Sequence, residues 1–197
     1  MKSVLISIQP KWCELIASGK KTVEVRKTKP KLQTPFKCYI YCTNGKEKLW
    51  VLKETERAFT PAKIASICDA KDVGGTYQAN GKVIGEFVCD EIIRINYSCG
   101  SYRCEGFNRR ENDRIASGSQ LSLYDMRNYL SCNGGYAWHI TDLVVYDKPK
   151  ELSEFVKPCN HENDCFTCDR YDYIGHRCYN EFTRPPQSWC YVERSKS

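Results

Sequence analysis

Short apolar runs separated by polar turns predict a chain built mainly of strands. Residues 4–6 are apolar and predict a first strand, and the pattern after Pro10 predicts a short helix with one apolar face. Proline suits the first helical turn, where its missing N–H costs nothing, and Gly19 is the expected helix stop. Residues 22–26 alternate between polar and apolar side chains, which predicts a second strand lying beside the first.

Four further segments extend this pattern. Residues 37–43 and 136–146 alternate like strands, and residues 82–95 form the longest run of β-favouring residues in the chain. Gly85 predicts a bend or bulge in that long strand. A helix is expected over 122–130, because its first residues have the spacing of a capping box. The predicted fold class is therefore α+β, with a few short helices.

Two segments lack such a pattern. Residues 96–118 are polar with few apolar positions, and we expect a flexible or functional loop there. Residues 157–197 are rich in cysteine and too poor in apolar residues to fold without help. Because 197 residues suffice for one good core, we expect one domain with a small appendage.

The second predicted strand carries charge on one side. Val23 and Val25 are expected in the core, so Glu24 and Arg26 point the other way, with Lys21 at the start of the strand. Two cations and one carboxylate therefore lie within a few residues of one another. A solvated strand face has the same pattern, and so does a buried Lys-Glu-Arg network that serves structure alone.

This charged set also has the spacing of a known motif. Gly19, Lys21, Glu24 and Arg26 fit G-x-K-x-x-E-x-R, which resembles the motif of ASCH domains, a family of PUA-like β-barrels. The Ile-x-Pro-x-Trp stretch at 8–12 resembles that family too. Residues 137–140 and the Arg-Pro-Pro-Gln-Ser-Trp-Cys run at 184–190 resemble longer members from Firmicutes and phages.

The resemblance implies a fold and a division of the chain. We expect an ASCH-type mixed β-barrel over residues 1–155. A cysteine-rich C-terminal extension, stabilised by zinc, would occupy residues 156–197.

Positive charge is concentrated near the motif. Residues 1–60 hold 13 Lys and Arg against 5 Asp and Glu, whereas residues 61–197 hold 17 against 19, in a chain of net charge +6. Such clustering suits a polyanion, because each phosphate contact releases condensed counterions. The alternative is a lysine-rich face that only keeps the protein in solution.

Together, the motif and the charge predict a module that binds nucleic acid, RNA before DNA, or a nucleotide or nucleoside. Lys21 and Arg26 would meet phosphate or base-edge oxygens, and Glu24 would accept from an exocyclic amine or orient Arg26. The predicted binding residues are Gln9, Lys11, Lys20, Lys21, Glu24, Arg26 and Tyr41.

A hydrolase is the first competing hypothesis. Some small ASCH proteins resemble amidohydrolases that deacetylate modified cytidine with a lysine, a threonine three residues later and a distant glutamate. Lys21 fits the lysine here, but Glu24 stands at the threonine position and Thr22 is adjacent to the lysine. If the chain is an enzyme, Lys21 and Glu24 are the catalytic candidates, as electrostatic stabiliser and general base.

Two more functions are compatible with the sequence. Some family members resemble metal-independent ribonucleases that use Tyr, Lys and Ser, a set that Tyr41, Lys48 and Ser122 could supply here. A non-catalytic adaptor would instead contact a protein partner through the C-terminal extension, and exposed Trp189 or Tyr191 would favour that function.

The extension carries a candidate metal site. Cys165 and Cys168 have the Cys-x-x-Cys spacing that lets two thiolates reach one ion. By resemblance to similar tails, Cys159 and Cys178 complete a closed, four-coordinate structural zinc site. Reduced buried thiols, or a redox pair at Cys165 and Cys168, would have the same sequence pattern.

The thirteen cysteines also bear on location. The N-terminus has no apolar stretch like that of a signal peptide, and no apolar run is long enough to cross a membrane. We therefore expect a soluble cytoplasmic protein whose cysteines are free thiols or metal ligands rather than disulfides.

Overall fold

The computed structural model describes most of the chain, namely residues 2–52, 64–66, 76–98, 101–104, 109–158, 171–172, 177–178 and 181–194. In the first half, the elements are β1 (Ser3–Ile8), α1 (Pro10–Ala17), β2 (Val23–Arg26), β3 (Phe36–Cys42), β4 (Leu49–Leu52), β5 (Ile64–Ser66) and β6 (Thr76–Gln78). The second half contains β7 (Val83–Ser98), β8 (Ser101–Cys104), α2 (Arg109–Ser119), α3 (Leu123–Leu130), β9 (Gly135–Lys150), β10 (Phe155–Val156), β11 (Tyr171–Asp172), β12 (Arg177–Cys178) and β13 (Trp189–Arg194). None of the helices in these ranges has the length and apolar character needed to span a membrane.

One mixed sheet of eight strands dominates the fold. Its order is β10-β13-β1-β3-β7-β9-β2, and β8 pairs with β7. β1 and β3 are parallel, whereas the other pairs in this sheet are antiparallel. A smaller sheet has the order β5-β4-β6. The predicted mixed sheet with a few short helices is thus confirmed.

The position of β2 differs from the expectation. β2 pairs with β9, placing Val23 opposite His139 and Arg26 opposite Tyr136, and it does not pair with β1. In the described part of the chain, β2 is therefore one end of the hydrogen-bonded path. The gap between β1 and β2 is crossed by a side chain instead, because Arg26 Nη2 donates to the Ser7 carbonyl oxygen at 2.6 Å.

Both faces of β2 are covered. Val23 and Val25 are buried against apolar side chains of α2 and α3, including Ile115 and Met126. The charged face of β2 is buried as well, against α1 and the strand ends around the cleft described below. The expectation that the valines belong to the core is therefore confirmed, and the charged face is not a solvated one.

The predicted bend in the long strand is present. The pairing of β7 with β3 shifts register near Gly85, and its pairing with β9 shifts there too. A Cβ atom at Gly85 would overlap the carbonyl oxygen of Val144 on the adjacent strand. Glycine is therefore required where the two backbones approach closely.

The described parts of residues 96–118 are strand and helix rather than the loop that the sequence pattern predicts, and residues 99–100 and 105–108 lie outside the described residues. β7 continues to Ser98 and pairs with β8, and α2 begins at Arg109. The backbone of α2 lies directly on β2, since a Cβ at Gly118 would come within 2.8 Å of Thr22 Oγ1. The packing of α2 on β2 needs few apolar residues, because Gly118 lets the two backbones approach closely and Ile115 is buried between them.

The C-terminal segment contributes a strand to the main sheet. β13 lies between β10 and β1, with Val192 opposite Ser3 and Trp189 opposite Ile6. Trp189 also packs 5.9 Å from Trp138 in the main core. Residue 155 is therefore not a boundary of the sheet, because part of the predicted extension lies inside it.

Candidate functional site

A cleft of about 570 Å³ opens where α1, β2, α3 and the segment before β13 meet. Its floor contains Lys21, Glu24 and Arg26, and we call these three residues the triad. Their exposed fractions are 2%, 7% and 6%, although all three line the cleft. Charged residues are seldom buried so completely unless they are paired.

Glu24 links the two cations. Its Oε2 lies 3.3 Å from Lys21 Nζ, and its Oε1 lies 3.0 Å from Arg26 Nε. One carboxylate between two cations leaves the triad with a net charge of +1. Because each carboxylate oxygen has a second lone pair, Glu24 can accept from a ligand while it keeps both ion pairs.

Arg26 connects three separate parts of the chain. Besides its bond to Ser7 in β1, Nη1 lies 3.4 Å from the Ser188 carbonyl oxygen and 3.3 Å from Ser188 Oγ. Ser7 itself holds the same segment, since its N–H donates to Ser188 O at 2.8 Å and its hydroxyl to Pro186 O at 2.6 Å. The residues before β13 are thereby fixed as one wall of the cleft.

Lys21 is held from the opposite side. Its ammonium donates to the Ser119 carbonyl oxygen at the end of α2, at 2.6 Å, and lies 5.1 Å from the centroid of the Trp12 ring. Ser119 and Glu24 take two of the three N–H donors, which leaves one for a ligand. Burial lowers the pKa of Lys21, and the nearby Glu24 only partly offsets this effect.

The lowered pKa has a consequence for stability. Between that pKa and the ordinary value of 10.5, the unfolded chain binds a proton at Lys21 that the folded chain has lost. This group therefore makes stability rise with pH in that window. We expect the free energy of unfolding of wild type, measured relative to that of Lys21→Met, to increase as the pH rises through it. Urea titrations at several alkaline pH values measure the difference. The exposed neighbour in Lys20→Met is the control, and equal slopes for wild type and both variants would contradict the prediction.

The rim of the cleft is aromatic and polar. Trp12 and Tyr129 contribute rings, and Gln9, Asn128 and Gln187 contribute exposed amides. Burial raises the pKa of Tyr129, an effect that the neighbouring Arg26 reduces. The aromatic side chains of the rim can stack on the flat ring of a ligand, and the amides can form hydrogen bonds with donors and acceptors at the edge of that ring.

The structure assembles some of the predicted binding residues and separates others. Gln9, Lys21, Glu24 and Arg26 all line the cleft. Lys11 lies outside the lining, although its ammonium is 4.8 Å from the Trp12 ring centroid. Lys20 is exposed and also lies outside it.

The predicted position of Tyr41 in the cleft is wrong. Tyr41 is 4% exposed and packs with Leu5 and Phe155 in another core cluster. Alternate residues of β3 face opposite sides, so Ile40 belongs to the main core and Tyr41 to the other side of the sheet. Burial raises the pKa of the Tyr41 hydroxyl.

Several cleft residues have no local signal in the sequence. Leu121, Asp125, Asn128 and Tyr129 come from α3 and the residue before its cap, and Gln187 and Ser188 come from the segment before β13. The capping box at Ser122 and Asp125 is visible in the sequence and is present, but it does not tell which helix face meets β2. The run at 184–190 stands out only through its resemblance to family members.

Lys21 and Glu24, the catalytic candidates of a hydrolase, both line the cleft, but the other residues of the competing functions do not. Neither Tyr41, Lys48 nor Ser122 lines it, and Ser122 is used as the N-cap of α3. Thr22 does not line it either, and its backbone N–H instead donates to the Gly118 carbonyl oxygen. Trp189 and Tyr191 are partly buried against the main core, which removes the feature that would have favoured an adaptor.

The predicted zinc site is not covered by the structure. Cys159, Cys165 and Cys168 lie outside the described residues, and only the backbone of Cys178 is described, in β12. In the described ranges, no group of three or more His, Cys, Asp or Glu side chains could hold a metal ion. The zinc site therefore stays a prediction.

Comparison with known proteins places the chain in a family. No curated protein matches it. A crystal structure of ASCH from Zymomonas mobilis aligns at 19% identity over 97% of this chain and 87% of that one, with a TM-score of 0.48. A tyrosine-to-phenylalanine mutant of that protein aligns at 20% identity over 98% and 91%, with the same TM-score. The family model of the ASCH domain matches residues 6–111, more than half of the chain, and includes the whole triad. The chain belongs to the ASCH domain family, which is associated with RNA binding.

Proposed function

We propose that this protein binds single-stranded RNA and receives one unpaired nucleobase in the cleft. The observation that carries the proposal is the buried triad, which lines an aromatic-rimmed cleft with two cations and one carboxylate. Membership in a family associated with RNA binding supports it. Protein modules that read RNA sequence commonly stack an unstacked base on aromatic rings and bond its edge.

A base edge fits the floor of the cleft better than a phosphate does. Glu24 lies between Lys21 and Arg26, so a phosphate bound to both cations would also face a carboxylate. A base presents acceptors and donors side by side. Its carbonyl oxygens would accept from Lys21 and Arg26, and an exocyclic amine would donate to Glu24.

The phosphates would then lie outside the cleft. Lys20 and Lys27 are exposed and close in sequence to the triad, and Lys27 Nζ lies 5.3 Å from the Tyr129 ring centroid at the rim. Exposed lysines contribute affinity that is independent of sequence and sensitive to salt. The proposal therefore assigns base recognition to the buried charges and backbone affinity to the exposed ones.

A stacking variant tests the proposal. Trp12→Ala and Tyr129→Ala should each weaken binding of short single-stranded RNA by about 5-fold to 150-fold, since base stacking contributes about 1–3 kcal/mol. Tyr129→Phe keeps the ring and should bind nearly like wild type. Fluorescence anisotropy with oligonucleotides of the four bases measures these affinities.

The matched control is Tyr124→Ala. Tyr124 is 73% exposed on the same helix but does not line the cleft, so its loss should change binding little. Equal weakening by all three alanine variants would contradict a base in the cleft. Parallel DNA oligonucleotides establish whether the 2′-hydroxyl matters.

Hydrolysis of the bound nucleotide is a second candidate function. A buried lysine with a lowered pKa beside a carboxylate is an arrangement found in active sites. Lys21 and Glu24 would be the catalytic residues in that case. Gel analysis of the RNA and assay of acetate release from acetylated nucleosides distinguish the two functions, since a binding module leaves both substrates intact.

A further inference from the structure

We propose that Lys29, Arg94 and Tyr136 form an anion subsite that holds a backbone phosphate of the RNA whose base occupies the cleft. The inference rests on the proposed function and extends it to a second position. The subsite is a separate pocket of about 290 Å³, lined by Lys29, Ile92, Arg94, Asn96 and Tyr136. No carboxylate is among these lining residues.

Two cations share one aromatic ring in this pocket. Arg94 Cζ lies 4.7 Å and Lys29 Nζ lies 5.5 Å from the centroid of the Tyr136 ring. Arg94 Nε is 3.1 Å from Asn96 Oδ1 and donates to it. Since one side of the guanidinium is held in this way, its terminal amino groups are preorganised for a bidentate acceptor such as phosphate.

Three other cations on the described surface are each paired with a carboxylate. Lys37 pairs with Glu86, Lys82 with Glu151, and Arg114 with Glu91. Within the described ranges, neither Lys29 nor Arg94 forms an ion pair with a carboxylate. Two like charges beside one ring repel each other, and a bound anion would turn that repulsion into attraction.

Strand register connects the subsite to the cleft. Arg26 in β2 is opposite Tyr136 in β9, and Tyr136 is opposite Arg94 in β7. Directly opposed residues of antiparallel strands project from the same face of a sheet. Because neighbouring strands lie about 4.8 Å apart, the backbones of Arg26 and Arg94 are about 10 Å apart across this row. One or two nucleotides of single-stranded RNA span that distance.

The next row supports the same geometry. Glu24 is opposite Trp138, and Trp138 is opposite Ile92, which lines the subsite. The cleft and the subsite therefore lie on one face of the sheet. Because Trp138 is fully buried, the partly exposed Tyr136 in the neighbouring row is the side chain of β9 that lies between them. A strand of RNA with its base on the triad would pass Tyr136 before it reaches Arg94.

The test uses the full chain with Lys29→Gln and Arg94→Gln combined. Its probes are hexauridylate and hexaadenylate, the corresponding nucleosides, and inorganic phosphate. The double variant should bind the hexanucleotides about 10-fold to 100-fold more weakly and bind the nucleosides like wild type. The slope of log affinity against log salt concentration should become less negative by about 0.7, as expected when one phosphate contact of a single strand is lost.

The controls separate this inference from the proposed function. Arg114→Gln removes an exposed arginine that is paired with Glu91, and it should leave affinity and salt slope unchanged. Lys29→Gln alone changes only an exposed side chain, so a milder loss of about 3-fold to 10-fold is expected even if the double variant folds poorly.

Each remaining outcome has a definite meaning. If Trp12→Ala weakens RNA binding while the double variant changes neither affinity nor slope, the subsite is wrong and the proposed function stands. If wild type binds no hexanucleotide, the proposed function itself fails. Binding of inorganic phosphate that the double variant abolishes, with RNA affinity unchanged, would show a site for free anions and overturn the inference.

Discussion

Replacing Glu24 with glutamine should lower the free energy of unfolding by about 3–5 kcal/mol, because breaking a buried ion pair leaves uncompensated charge behind. Two cations depend on this carboxylate, and both are more than nine-tenths buried. Glutamine keeps the shape of the side chain, so the loss reports on charge rather than on packing. Urea denaturation followed by circular dichroism at neutral pH measures the effect.

Glu91→Gln is the matched control. Glu91 also pairs with an arginine, but both side chains are about half exposed, so water replaces the lost contact. Surface pairs of this kind contribute about 0–1 kcal/mol. If both glutamine variants lose the same small amount, the triad does not depend on Glu24 for its charge balance.

Trp138→Ala should also lower the free energy of unfolding by about 3–5 kcal/mol, through the cavity that it leaves. Trp138 is fully buried between β2 and β7 and packs against Phe36 and Trp189 at centroid distances of 6.0 and 5.9 Å. Its loss loosens the contact between the main core and the C-terminal strand. Thermal and urea unfolding followed by circular dichroism give the change.

Trp138→Phe tests the packing explanation. Phenylalanine keeps most of the ring, and it removes an indole N–H that has no hydrogen-bond partner in the described structure. We expect a loss of under about 2 kcal/mol, because a smaller void costs less and no polar group is left buried. A loss as large as that of the alanine variant would mean that the indole itself is required.

Local pattern was sufficient to predict the centre of the site. Alternation along β2 places Val23 and Glu24 on opposite faces, and the stop at Gly19 sets where the strand can begin. The two-residue alternation along a strand, however, does not tell whether its charged face is exposed to solvent or buried against other parts of the protein. The burial of Glu24 and Arg26 depends on α1 and on chain segments far away in sequence, so a solvated face and a buried one were indistinguishable.

Long-range pairing explains the errors. The alternation of β3 assigns Tyr41 to one face of the strand, but a strand has two faces and either can be covered. Phe155 and Val192, which cover Tyr41, belong to strands more than 100 residues later. Likewise, Ser188 reaches the cleft only because β13 pairs with β1, and the local sequence pattern does not predict this pairing.

The helix over residues 109–119 shows a different limit. Its few apolar residues led to the expectation of a loop, yet it forms a helix and packs on β2 because Gly118 permits backbone contact. Ser119 then offers a carbonyl oxygen to Lys21. Contacts made by backbone atoms leave little trace in a hydrophobic pattern, and such contacts hold one side of the cleft.

The pairing of β1 with β13 also sets when the cleft can be completed during synthesis of the chain. At ribosomal rates of about 5–20 residues per second, Val192 is made roughly 10–40 s after its partner Ser3. Until then, β1 has one unpaired edge and Arg26 lacks the Ser188 wall. A nascent chain that ends before this segment carries the whole sequence motif but only part of the cleft, so the cleft is completed only when β13 has left the ribosome.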